Sequence, residues 1–161
     1  HDQRGLTSRL TNLGNAHVAL KDYVSAIQHF KEVVELHKSL GDQTEVALRL
    51  GIIGNLYNEL GRDNTTSSDS RRYFTSALEY YGQTLTIARE LEDVITEAQL
   101  IRSIGAVFVN LSRFEQALEY LESALQMFDV LGLDTDRDQT KRIVRRVKAV
   151  QARISDNQEE R

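Results

Sequence analysis

The chain has 161 residues, 40% hydrophobic and 27% charged, which suits one soluble domain or a short array of repeats. Its net charge of −4 argues against a nucleic-acid binder, and the absence of Cys excludes disulfides, thiolate metal sites and a Cys nucleophile. No Pro interrupts the chain, no apolar run approaches the roughly 20 residues that span a bilayer, and no charged-then-apolar leader opens it.

In chain order, His1-Asp2-Gln3 has the phase of Gly41-Asp42-Gln43, 40 residues later, so the sequence reads as starting at the end of a previous unit. Asp2, Asp42 and Asp93 recur in register and are expected to cap helices, with Asp42 and Glu45 forming a capping box. The first helix is predicted from about Gln3 to Leu20. Its face of Leu6, Leu10, Leu13 and His17 falls at i, i+4, i+7 and i+11. After a turn at Lys21-Asp22, the second is predicted over Tyr23–Leu40, with Ala26, Ile27, Phe30, Val33, Val34 and His37 inward and Gly41 as its stop.

The stretch Leu10–Leu20, LTNLGNAHVAL, returns as LGIIGNLYNEL at Leu50–Leu60 and as IRSIGAVFVNL at Ile101–Leu111. Three ordered copies mean a repeat protein. The spacing is 40 residues from Gly14 to Gly54 but 51 from Gly54 to Gly105, and 51 from Ala26 to Ala77 but 40 from Ala77 to Ala117. The extra 11 residues are therefore Arg62–Arg72, RDNTTSSDSRR, which is read as an exposed, mobile, tolerated loop. Its Thr65, Thr66, Ser67, Ser68 and Ser70 invite phosphorylation, and Asn64-Thr65-Thr66 is a formal glycosylation sequon, but a polar insertion accounts for both. The flanking helices are predicted over Thr44–Leu60, stopped by Gly61, and over Tyr73–Leu91, with Phe74, Ala77, Leu78, Tyr81, Leu85 and Ala88 inward. The third unit is predicted as Val94–Leu111 and Phe114–Leu131. A last helix over about residues 136–155 has Ile143, Val147, Val150 and Ile154 at helical spacing on an otherwise basic surface, followed by a polar tail at 156–161. One apolar and one charged face suit a cap, and the aromatics that stack bases are missing. The Gly of each copy and the matching Ala26, Ala77 and Ala117 are expected to let paired helices approach closely, and such short pairs must stack on neighbours.

The residues Leu10, Leu13-Gly14, His17, Ala26 and Phe30 resemble the tetratricopeptide repeat. So do Leu50, Ile53-Gly54, Tyr57, Ala77 and Tyr81, and Ile101, Ile104-Gly105, Phe108, Ala117 and Leu121. The first position is aliphatic rather than Trp, the terminal Pro is missing, and the period is 40 rather than about 34. The long period, with Leu13-Gly14-Asn15, Ile53-Gly54-Asn55 and Ala88–Asp93, resembles the repeats of kinesin light chains and of spindle-orienting scaffolds. The resemblance implies an all-α solenoid of three helical hairpins plus a C-terminal capping helix. Its units are about residues 3–41, 42–92 with the inserted loop 62–72, and 93–133.

The resemblance also implies a concave face, lined by the first helix of each pair, that holds a peptide segment of a protein partner. The positions on that face not claimed by packing are Ser8, Thr11, Asn12, Asn15 and Ala19; Asn55, Asn58 and Glu59; and Gln99, Arg102, Ser103 and Asn110. Asn15 and Asn55 occupy equivalent places, and Asn can pair with a peptide backbone through both a donor and an acceptor. Ala106 breaks the ladder in the third copy. A carboxylate clamp for chaperone tails needs Lys where Thr11 stands, and is disfavoured. The alternatives are a stacking or self-association segment of a longer superhelix, through an edge of Leu6, Leu10 and Leu13, or a regulatory module of a larger protein. The scattered His residues lack metal-ligand spacing, and no phosphate loop, dinucleotide fingerprint or nucleophile triad is present. A non-enzymatic, cytoplasmic scaffold with no cofactor, metal, small-molecule substrate or membrane partner is expected.

Overall fold

The computed structural model describes residues 3–64 and 67–159. All regular structure among them is helical: α1 (Gln3–Ala19), α2 (Tyr23–Leu40), α3 (Gln43–Asp63), α4 (Ser67–Glu90), α5 (Val94–Asn110), α6 (Phe114–Leu131) and α7 (Asp134–Glu159). The fold is the all-α succession of helical hairpins that the repeats imply. It divides into two compact units, residues 1–93 and 94–161. None of the described helices is long and apolar enough to cross a membrane. The expected cap at Asp2, the positions Thr65 and Thr66, and the end of the tail lie outside the described residues.

Local sequence explains the boundaries. Asp22 caps α2 and Asp42 caps α3, each accepting a hydrogen bond from a first-turn backbone N–H, of Ser25 and Glu45 respectively, at 3.2 Å. Bonds from Ser25 hold the Asp22 carboxyl below its usual range. Asp22 is thus both part of the expected turn and the cap of the helix that follows it. Gly41 and Gly132 end α2 and α6 in the left-handed conformation, with φ of 71° and 67°.

In the first unit, α2 and α3 form one core of Ala26, Ile27, Phe30, Val34, Val46, Leu50, Ile53 and Leu56, with Tyr80 and Ile87 of α4 packed against it. The periodic glycines are sites of close approach. A Cβ at Gly14 would lie 2.9 Å from the Phe30 ring, and one at Gly54 would lie 2.7 Å from Tyr81. In the second unit, a Cβ at Gly105 would lie 2.8 Å from Leu121. That unit packs α7 on α6 through Leu121, Val144 and Val147. The buried face of α7 runs through Thr140, Val144 and Val147, so Val150 and Ile154 of the expected apolar stripe are exposed.

The insertion departs most from the sequence reading. Positions 62–72 are not one loop: α3 continues to Asp63 and α4 starts at Ser67. The hairpin is lengthened at its closed end instead of being interrupted. Gly61 therefore lies inside α3, buried, where a Cβ would lie 2.5 Å from the Phe74 ring; it permits packing and does not stop the helix. The Ser70 hydroxyl donates to the Gly61 carbonyl, tying the two extensions together. Asn64 ends α3 by returning both its backbone and side-chain N–H to the Leu60 carbonyl at 3.1 Å. Polar composition suggested a loop, but a two-helix extension needs only one packed seam, here Gly61 against Phe74.

Candidate peptide-binding face

Of the positions singled out from sequence, Ser8, Thr11, Asn12 and Asn15 fall at i, i+3, i+4 and i+7 along α1, and Asn55, Asn58 and Glu59 at i, i+3 and i+4 along α3. Ser8, Asn12, Asn15 and Asn55 are exposed; Thr11, Asn58 and Glu59 are half-buried. In the second unit Gln99 and Arg102 are half-buried on α5 and Asn110 is exposed at its end.

The two equivalent asparagines differ in how they are held. The Tyr81 hydroxyl donates to Asn55 Oδ1 at 2.6 Å, a bond from α4 to α3. Burial, with the charge of Glu59, pushes the Tyr81 phenol well above its ordinary range, so it stays a hydroxyl and a donor. The bond fixes the plane of the Asn55 amide and leaves its two N–H donors for another group. The residue matching Tyr81 in the first hairpin is Phe30, which has no hydroxyl, so Asn15 has no such anchor. Glu59 pairs with Arg62 at 3.0 Å, a solvated pair that adds little stability.

Arg102 has a structural task. Its guanidinium lies 2.6 Å from Asp136 and 3.5 Å from Gln139, both on α7, and 5.4 Å from the Phe128 ring centroid. Arg102 thus pins α7 to α5, and its charge is already matched. Ser103 donates to the Gln99 carbonyl at 2.9 Å.

A second arrangement was not foreseen. The ring position of each copy stacks on the residue three after the recurring Ala of the next helix: His17 on His29, Tyr57 on Tyr80 and Phe108 on Tyr120, at 5.3, 5.4 and 5.3 Å between centroids. The signal was in the sequence, as a ring at Ala26+3, Ala77+3 and Ala117+3, but the repeat signature does not include it. Around the middle pair the Lys31 ammonium donates to the Tyr57 hydroxyl at 3.2 Å and lies 5.6 and 5.7 Å from the Tyr57 and Tyr80 ring centroids. Burial acts to lower the Lys31 pKa, but bonding to the Tyr57 and Tyr80 hydroxyls outweighs it and raises the pKa. A cavity of about 690 Å³ lies between residues 112–116 and 151–155 of the second unit.

Residues 6–40 match the family model described as Tetratricopeptide repeat. No curated protein sequence matches the chain. Among solved structures, the N-terminal domain of stress-induced protein-1 (STI-1) from C. elegans is similar, at 17% identity and a TM-score of 0.65, over 92% of this chain and 98% of that one. BtubC (BKLC) from P. vanneervenii is similar at 17% identity and a TM-score of 0.63, over 96% of this chain and 66% of that one. At such identities the likeness is one of fold. Residues 6–40 thus match a tetratricopeptide repeat, and the chain as a whole shares the helical-hairpin fold of these structures.

Proposed function

We propose that the protein is a non-enzymatic interaction scaffold whose first unit holds a peptide segment of a partner along α1 and α3. The tetratricopeptide fold supports a protein–protein interaction role in general. The observation that carries the finer reading is the exposed Asn55 amide, held in one plane by Tyr81 and offering two donors; Asn15 holds the matching position of the preceding copy. An amide so fixed loses little rotamer entropy when it pairs with a peptide backbone, which is what preorganisation contributes to affinity. Ser8, Thr11 and Asn12 extend the polar stripe along α1, and Asn58 and Glu59 extend it along α3. In the second unit Gln99 and Asn110 remain candidates; Arg102 acts through α7. The location consistent with this role is cytoplasmic.

The test is selection from a displayed random-peptide library with the full chain, followed by titration of the selected peptide. Asn55→Ala should weaken binding by about tenfold, the effect of losing bonds worth 1–2 kcal/mol. Asn15→Ala should weaken it less. Unchanged affinity in the double variant would remove the Asn pair from the site.

A further inference from the structure

We propose a second binding surface, for an acidic, extended segment of a protein partner, in the groove between α2 and α4 centred on Lys31. It is distinct from the asparagine face: Asn55 and Tyr57 are two residues apart on α3, which separates their side chains by about 200° around the helix.

Two cavities meet at Lys31. One, about 300 Å³, includes Ile27, Tyr57, Leu60, Arg72 and Tyr73 in its lining; the other, about 310 Å³, includes Val34, Lys38, Leu50, Ile53 and Tyr80. Lys31 lines both. Along α2 they extend from Val24 to Lys38, a rise of about 21 Å, which an extended segment of about six residues spans. The charged residues of the lining are Lys31, Lys38, Arg72 and Glu35, and Glu35 is already paired with Lys38 at 2.8 Å. Lys31 is held by the Tyr57 hydroxyl and by the rings of Tyr57 and Tyr80, and no carboxylate pairs with it among the described residues. A carboxylate entering between the cavities meets a cation whose position is fixed and whose charge is unmatched. The aliphatic and tyrosine walls on either side suit the apolar side chains that alternate with acidic ones on an extended chain. This alternation is why the occupant is a peptide and not a free anion. The inserted residues build one end of the groove, because the early start of α4 presents Arg72 over the Tyr73 ring at 5.7 Å.

The probe is a fluorescein-labelled octapeptide of alternating Glu and Leu, titrated with the full chain and read by anisotropy, against its counterpart with Lys for Glu. The acidic peptide should bind, more weakly as salt rises, and the basic one should not. Lys31→Met should weaken binding by about tenfold or more. Arg72→Glu, at the exposed lip where folding is not at stake, should weaken it in the same direction. Asn15→Ala combined with Asn55→Ala should leave it unchanged, so failure here is separable from failure of the asparagine face. The proposal is overturned if the acidic peptide does not bind, if both charge variants bind it like the parent, if the Asn variant abolishes binding, or if a heparin fragment shows the same dependence on Lys31.

Discussion

The first two hairpins carry the same sequence pattern 40 residues apart, yet the matching positions have different environments. Val46 and Ile53 of α3 are 1% and 0% exposed, whereas their counterparts Leu6 and Leu13 of α1 are 45% and 48% exposed. Leu10 and Leu50, the first position of each copy, are both buried. The difference lies in the neighbours: α3 packs with both α2 and α4, while α1 packs with α2. A repeat signature thus specifies which residues can be buried, and stacking decides which are.

The comparison can be broken most forcefully at Gly54. With Tyr81 2.7 Å from where its Cβ would stand, Gly54→Leu should destabilise by several kcal/mol, as overpacking of a core does at about 1–3 kcal/mol or more. Urea unfolding that left the midpoint in place would refute the packing. Next, Ile53→Ala should cost about 2–5 kcal/mol, and Leu13→Ala no more than about 1 kcal/mol because half of its surface is already wet. Equal losses would mean that the two hairpins are equally covered in solution.

Tyr81→Phe makes the second hairpin like the first, where Phe30 stands, and should cost about 1 kcal/mol. Its signature is a pH dependence. The folded-state pKa lies above the ordinary 10.0, so this group's contribution is complete below about pH 10 and is lost as pH rises toward the folded value. The parent should therefore lose more stability between pH 9 and 11 than the Phe variant. The smallest effect has the opposite sign. Gly82 is exposed inside α4 with open space around its Cβ position, so Gly82→Ala should stabilise by about 0.5–1 kcal/mol, seen as a raised Tm.

Much of this fold was legible because glycine, alanine and large residues recur at fixed spacing, and those spacings are the packing itself. Positions Tyr23–Leu40 and Phe114–Leu131 begin and end as the pattern predicts. The insertion was misread because Ser, Thr, Asp and Asn over positions 62–72 score as loop, while the seam that makes it helical joins Gly61 to Phe74 across the hairpin. The exposed asparagines were visible as positions left over from packing. The anchor from Tyr81 to Asn55 was not, since it joins residues 26 apart. Arg102 looked like a groove cation because its partner, Asp136, lies 34 residues on. Lys31 passed unnoticed for the same reason: its partners Tyr57 and Tyr80 lie on two later helices.

The proposed peptide site centres on the Asn55 side-chain amide, exposed and held in one plane by Tyr81. Its ¹⁵N-edited NMR signal, followed while a library-selected peptide is added, reads that amide directly. In the parent the Asn55 Nδ2 resonances should shift saturably, with a weaker midpoint in Tyr81→Phe, where the anchor is gone. Saturation of the peptide with those resonances unmoved would contradict the proposed site.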